Sequence, residues 1–237
     1  MTRIALVIPA YRPPPLLPGL IESISSIDAD HVIESIIVVD DGSEAAYTKT
    51  FEAAAQLPRV TIVRREANGG QGAALKTGIA HALATIPDLA GVVTADADGQ
   101  HAPEDVVKIA RAFAARPDAL LLGVRAFGAG VPLRSRFGNI LTHHLVAWMA
   151  GLRVADTQTG LRGWPRRGCE RNLRNAATGF EYNLATLLAA AAAGDAIVEM
   201  PIRTIYEPGN PSSHFRPLHD SVRIYRVLIA HALGWRP

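Results

Sequence analysis

Two aspartates stand one residue apart in the run Asp96-Ala97-Asp98-Gly99-Gln100-His101, directly after an apolar stretch. In extended chain, residues two apart face the same side, so the carboxylates of Asp96 and Asp98 and the amide of Gln100 can converge. Two close carboxylates repel unless a proton or a cation lies between them. A small set of hard oxygen ligands suits Mg2+ or Mn2+ bridging to substrate phosphates, because Mg2+ is commonly held by only one or two carboxylates. An isolated Asp-x-Asp is a weak signal. Here it closes a buried strand opposite a second acidic pair, Asp40-Asp41, and Asp96, Asp98 and Gln100 are therefore expected to hold a divalent cation. Ser43 is a natural turn or helix-capping residue, but two adjacent acids after Ile36-Ile37-Val38-Val39 exceed what a turn needs.

The run Asn68-Gly69-Gly70-Gln71-Gly72 opens a helix that contains Lys76. Glycines ahead of a helix allow backbone amides to face an anion, and a close-packed turn is the alternative. The run matches neither the dinucleotide-binding fingerprint nor the P-loop. Charge is divided unevenly along the chain. Residues 1–119 carry 10 Lys and Arg against 15 acids, a balance of −5, while residues 120–237 carry 14 Arg and no Lys against 7 acids, a balance of +7. Arginine's planar fork suits phosphate, so the second half is expected to meet an anionic partner such as a lipid headgroup or a phosphorylated small molecule. Aromatic residues, 6% of the chain, are not interleaved with these arginines, which argues against nucleic acid. Arg125, Arg134 and Arg136 flank glycine-rich breaks, where ligand loops sit. His143-His144 lack a helical metal spacing, Cys169 has no nucleophile context, and His101 reads as a supporting or capping residue.

These residues need a scaffold. Segments 4–9, 36–40, 60–64, 92–96 and 120–125 read as buried strands, and 16–27, 45–57, 72–85 and 103–115 as helices between them. Pro103 followed by Glu104 and Asp105 is a strong helix start. Strand–helix alternation predicts an α/β fold whose mostly parallel sheet is covered on both faces. Ligands then bind beyond the carboxyl ends of the strands, where the polar runs lie. After Arg125 the expected elements are helices 135–151 and 178–193, a strand 197–205, a loop 207–213 and a last helix 218–235. At 237 residues and 49% hydrophobic content the chain reads as one domain with two functional halves, 1–125 and 126–216, and a C-terminal helix 217–237. A single cysteine excludes a disulfide framework, no apolar run reaches membrane-spanning length, and the first residues do not form a signal peptide. The expected setting is therefore a reducing compartment, the cytoplasm.

Taken together, Val7-Ile8-Pro9-Ala10-Tyr11, Val38-Val39-Asp40-Asp41-Gly42-Ser43, Asn68-Gly69-Gly70-Gln71-Gly72, the Asp96 run and Asp156-Thr157-Gln158-Thr159-Gly160 resemble family 2 glycosyltransferases of the GT-A fold. The resemblance is strongest to polyprenyl-phosphate (dolichyl-phosphate type) hexosyltransferases and continues through Ser212-Ser213-His214-Phe215-Arg216-Pro217. It implies an inverting hexosyl transfer from a UDP- or GDP-sugar to a polyprenyl phosphate, with Mg2+ or Mn2+ as cofactor. It implies donor-binding roles for Pro9, Tyr11, Asp40, Asp41, Gly70, Lys76 and Asp96, and catalytic roles for Asp98 and Asp156. It implies an acceptor-phosphate site at Arg125, Arg134 and Arg136. The alternatives are a hydroxyl acceptor, which would require an acid such as Asp156 as a true base, and a non-catalytic nucleotide-sugar-binding module.

Many members of that family continue into membrane-spanning segments, whereas this chain stops at Pro237. Peripheral contact with the cytoplasmic membrane face, or a membrane-protein partner, is expected instead. Leu218, Val222, Tyr225, Ile229, Ala232 and Leu233 recur at helical spacing and form an apolar stripe flanked by Arg223 and Arg226, with Trp235 near the end.

Overall fold

The computed structural model describes residues 2–125, 146–147, 151–203, 205 and 217–234, with the side chains of 217–219 excepted. The expected helix 135–151, apart from residues 146, 147 and 151, lies outside the described residues. So do Arg134, Arg136, the loop 207–213, the run 212–216 and Trp235.

Strand β1 (Arg3–Ala10) shows how the sequence builds two layers around one sheet. Ile4, Leu6 and Ile8 point to one face and meet Leu17, Ile21 and Ile24 of helix α1 (Leu17–Ile27) and Val106, Ile109, Ala110 and Phe113 of α4 (Pro103–Ala115). Ala5 and Val7 point to the other face and meet Ala74, Leu75, Ile79 and Ala82 of α3 (Gln71–Thr85). A period of two on a strand buried on both sides leaves an unbroken apolar run, which is what the sequence shows. Strands β2 (Ile33–Asp40), β3 (Val60–Arg64) and β4 (Leu89–Thr94) extend the sheet, with α2 (Thr48–Ala55) after a short 3-10 turn at Ala45–Tyr47. Pro103 does open α4, with Glu104 and Asp105 in its first turn.

The sheet has seven strands in the order β3-β2-β1-β4-β6-β5-β7, where β5 is Leu120–Arg125, β6 Arg162–Pro165 and β7 Ile197–Ile202. β1, β2, β3 and β4 run parallel, as do β5 and β7. β6 is antiparallel to both its neighbours, β4 and β5. This strand is absent from the sequence expectation because Arg-Gly-Trp-Pro carries no strand pattern. It is held by pairing and by Arg162, whose guanidinium is wholly buried and donates to the carbonyls of Thr159 (2.8 Å), Asn183 (2.6 Å) and Thr157 (3.0 Å). Helix α5 (Arg166–Leu173) follows, also unanticipated, and then α6 (Tyr182–Ala192). Strand β7 stops at Ile202, short of the expected 205.

The last helix, α7, spans Pro217–Ala232, where a helix over 218–235 is expected. Ile224 and Leu228 are the side chains that it buries, against Leu184 and Leu188 of α6 and against Val146, with Val227 partly buried beside them. These residues lie off the anticipated stripe. The stripe's own Val222, Ile229 and Leu233 face outward, 58%, 52% and 78% exposed. The helix carries two apolar faces, and α6 engages the one with Ile224 and Leu228.

Candidate active site

The strand order sets the carboxyl ends of β2, β1 and β4 side by side. Ala10 pairs with Asp40, the Asp41 N–H donates to the Ala10 carbonyl at 2.9 Å, and the Ala95 N–H reaches the Val7 carbonyl at 3.2 Å. Pro9, Tyr11, Asp40, Asp41, Asp96 and Asp98 are therefore brought to one edge, as a crevice beyond parallel strands requires.

At the β2 end, both acids are structural clamps. Asp40 Oδ1 accepts the Ser43 N–H (2.8 Å), and Oδ2 lies 3.0 Å from Arg64 Nε. Asp41 is buried and accepts the N–H groups of Gly69 (3.1 and 3.2 Å) and Gly70 (2.9 Å), with Arg65 Nε 2.7 Å away. Burial pushes its carboxyl above the ordinary value, and the two amides and Arg65 offset only part of that. The glycine loop thus points its amides at a carboxylate of the protein itself. Gly70 has φ +92°, and a Cβ there would fall 2.7 Å from the Thr178 carbonyl oxygen, so glycine is required twice over. A cavity of about 410 Å3 opens here, lined by Gly42, Ser43, Arg64, Arg65 and Glu66. At its side the Arg12 guanidinium lies 5.0 Å from the centre of the Tyr11 ring and is gripped by Glu44. Lys76 donates to the Asn175 carbonyl at 2.8 Å, and burial and repulsion from Arg65 lower its pKa.

The β4 end carries the second acidic pair. The strand stops at Thr94, so Asp96 and Asp98 converge through a turn with Gly99 at φ +78° and not along extended chain. Asp96 is held at both oxygens: Gln71 Nε2 donates to Oδ1 at 2.9 Å, and His101 Nε2 lies 3.1 Å from Oδ2. Burial opposes its charge, yet His101, Arg125 and Gln71 keep it below the usual carboxylate value. Asp98 behaves oppositely: burial and the neighbouring Asp96 push it up to about 6, although the Gln100 N–H donates to Oδ1 at 3.0 Å. One carboxylate is fixed in its ionised form and the other is destabilised beside it. A divalent cation relieves that conflict, so the donor set fits Mg2+ or Mn2+. Among the described residues no group of three or more His, Cys, Asp or Glu is arranged around a metal position. Mg2+ is commonly held by one or two carboxylates, with substrate phosphate and water in its other positions. Gly160 lies against the same carboxylate, where a Cβ would come within 2.3 Å of Asp96 Oδ2, and its carbonyl accepts Thr94 Oγ1–H at 2.7 Å.

Asp156 is wholly buried. Arg125 grips it with Nε (2.5 Å) and Nη2 (3.1 Å), and the Gln158 N–H adds a third bond at 3.0 Å. Arg125, which the family resemblance places on an acceptor phosphate, thus commits one edge of its fork to Asp156. Sequence reasoning missed Gln71, Arg65 and Arg162 as parts of this site. Gln71 had a readable signal, an amide at the first position of a helix opened by glycines. The other two act through backbone carbonyls and a carboxylate distant in sequence.

The arrangement can hold a cation beside the carboxylates at the β4 end, while the polar cavity lies at the β2 end of the same sheet edge, between Gly42, Ser43, Arg64, Arg65 and Glu66. The model of glycosyl transferase family 2 matches residues 5–172, which include every strand-end acid described above. The chain belongs to glycosyl transferase family 2. Within that family it is 30% identical over 208 residues to an uncharacterised protein of Methanocaldococcus jannaschii, covering 86% of this chain and 82% of that one. It is 29% identical over 226 residues to the UDP-N-acetylglucosamine–dolichyl-phosphate N-acetylglucosaminyltransferase of Methanococcus voltae, covering 86% of each. Among solved structures, the glucosyl-3-phosphoglycerate synthase of Mycobacterium tuberculosis, crystallised with Mn2+, uridine diphosphate and phosphoglyceric acid, superposes with a TM-score of 0.73 at 21% identity. The match spans 99% of this chain and 78% of that one. The fold is the GT-A arrangement, and the family 2 chain is a glycosyltransferase enzyme.

Proposed function

We propose that this glycosyltransferase moves a hexose, with inversion, from a UDP- or GDP-sugar to a polyprenyl phosphate. The observation that carries the acceptor class is the burial of Asp156 under Arg125. A hydroxyl acceptor needs a base at the reacting oxygen, and Asp156 is spent on the arginine fork instead. A phosphate monoester needs none, because its second pKa near ~6 leaves it largely a dianion at neutral pH. The dolichyl-phosphate transferase among the relatives supports the same class.

In this reading Pro9, Tyr11, Asp40, Asp41, Gly70 and Lys76 form the donor side, with Asp40, Asp41 and Lys76 acting by fixing the loops around the nucleoside. Asp96, Asp98 and Gln100 hold Mg2+ or Mn2+, which supplies charge neutralisation on the departing nucleoside diphosphate. Gln71 and His101 keep Asp96 ionised and oriented, leaving Asp98 free to bind. Asp156 orients Arg125, which together with Arg134 and Arg136 meets the acceptor phosphate and sets it for in-line attack. Residues 1–125 are then the donor half and 126–216 the acceptor half.

No helix among the described residues is long and apolar enough to cross a membrane. The outward row Val222, Arg226, Ile229 and Leu233 of α7 supplies peripheral contact at the cytoplasmic face where a lipid acceptor resides. Nucleotide sugars paired with short polyprenyl phosphates and with glycan hydroxyls, scored by mass spectrometry and anomeric NMR, test the activity. A polyprenyl-phosphate sugar of inverted configuration is expected, and products on hydroxyls alone would overturn the acceptor class. Flotation with anionic liposomes tests the contact: the full chain is recovered and a chain ended at residue 216 is not.

A further inference from the structure

We propose that Arg223 of α7 is a positioning residue for the glycine loop at Gly69 and Gly70, so that the seating of the C-terminal helix sets the affinity of the donor site. The proposal rests on the donor reading above and concerns residues beyond the family match, which ends at 172.

The connection between α5 and α6 lies between the glycine loop and α7. On the loop side, the Thr178 carbonyl accepts the Ala73 N–H at 3.0 Å, one of the first-turn amides of α3 that has no partner in its own helix. The same oxygen packs against Gly70, and Lys76 of α3 holds the Asn175 carbonyl. On the other side, Glu181 Oε1 takes the Thr178 N–H and the Gly179 N–H, each at 3.1 Å, and Arg223 Nη2 at 2.6 Å. Arg223 Nη2 also reaches Thr178 Oγ1 at 3.2 Å. Glu181 is buried, and its Oε2 has no hydrogen-bond partner. Arg223 pairs with this buried carboxylate, and a buried charge that loses its partner rearranges. That rearrangement loosens the Thr178 and Gly179 amides, and with them the carbonyl on which Gly70 and Ala73 rest. The helix is thus wired through one ion pair to the loop that clamps Asp41.

The test compares wild type with Arg223→Met, Arg223→Lys and Glu181→Gln, each checked for native circular dichroism. Calorimetry measures binding of UDP and GDP with Mn2+, and hydrogen exchange of the ligand-free protein follows the amides of residues 68–73 and 177–181. Arg223→Met is expected to weaken nucleotide binding at least about fivefold, within the usual range of coupling between sites, and Glu181→Gln, whose amide oxygen still accepts the two N–H groups, weakens it less. Arg223→Lys restores most of it. In steady state the donor KM rises while kcat at saturating donor holds, whereas a merely structural defect lowers kcat through loss of active protein. The exchange of both segments speeds up together in the Met variant. Unchanged exchange at 68–73 in Arg223→Met, or wild-type affinity in it, overturns the latch. Failure of the wild type to bind either nucleotide overturns the donor reading, and the exchange data then still decide the latch.

Discussion

Cation binding at Asp98 is expected to fail at a pH far above that at which ordinary aspartates protonate. The free protein holds the Asp98 carboxyl at about 6, raised by burial and by the adjacent Asp96, while Asp96 stays ionised through His101, Arg125 and Gln71. Binding a divalent cation requires the carboxylate, so acid must be worked against. With a midpoint of about 6, Asp98 is about nine-tenths ionised at pH 7 and about one-tenth at pH 5, and the apparent affinity for Mn2+ with UDP falls about tenfold between them. Stability of the free protein moves the other way. A folded-state pKa above the unfolded value means that the native state binds the proton more tightly. The Asp98 contribution is therefore present below the unfolded pKa and lost as pH rises through about 6. The gap in Tm between the Mn2+·UDP-loaded and free proteins consequently narrows as pH drops from 7 to 5. Calorimetry across that range checks the reasoning, with Asp98→Asn as the control that keeps only the shallower fall due to protonation of the UDP terminal phosphate. A binding curve that stays flat down to pH 5 and breaks near 4 would refute it.

Three further outcomes follow from packing and hydrogen bonding. Gly160→Ala places a Cβ within 2.3 Å of Asp96 Oδ2, so Mn2+·UDP affinity in calorimetry should drop by about tenfold or more as the carboxylate is displaced from His101 and Gln71, each charge-assisted bond being worth about 1.5–3 kcal/mol. Arg162→Met leaves the carbonyls of Thr157 and Thr159 buried without this donor, while that of Asn183 keeps Thr186 Oγ1–H, and urea unfolding should show a loss of about 2–6 kcal/mol. Gln71→Met keeps the volume but removes the N–H on Asp96, so nucleotide binding should weaken with little change in Tm, and Gln71→Lys, which restores a donor, should recover part of it.

The sheet and its covering helices were legible where local pattern and tertiary burial agree. Ile4 to Ile8 and Ile36 to Val39 must be strands because both faces are covered, and Pro103 announces α4 without help from the rest of the chain. The acids at the ends of β2 and β4 were legible as a site because the fold class dictates where such ends gather. Their individual duties were not. Asp41 spends its oxygens on Gly69, Gly70 and Arg65, and no spacing rule reveals a carboxylate that binds backbone amides 28 and 29 residues away. Arg162 belongs in sequence to an arginine-rich stretch beside candidate ligand loops, yet it is wholly buried and donates to three carbonyls. On α7 the apolar residues form two overlapping rows, and only the shape of α6 decides that Ile224 and Leu228 turn inward.

The antiparallel insertion of β6 carries a consequence for how the chain reaches its native state. β4 is flanked by β1 on one side and by β6 on the other, so Gly91 to Thr94 keep an open row of backbone donors and acceptors until residues 162–165 arrive. During synthesis at roughly 5–20 residues per second, the wait from Thr94 to Pro165 lasts on the order of ten seconds. Through that interval the nascent chain presents a hydrophobic edge, the kind that recruits a second chain by strand addition. Arg162 then has to enter the interior with its charge as β6 docks, which ties closure of the sheet to the ordering of the Thr157 to Gly160 loop. Lesions between residues 126 and 165 should therefore show themselves first as aggregation at the ribosome, before any deficit in turnover can be measured.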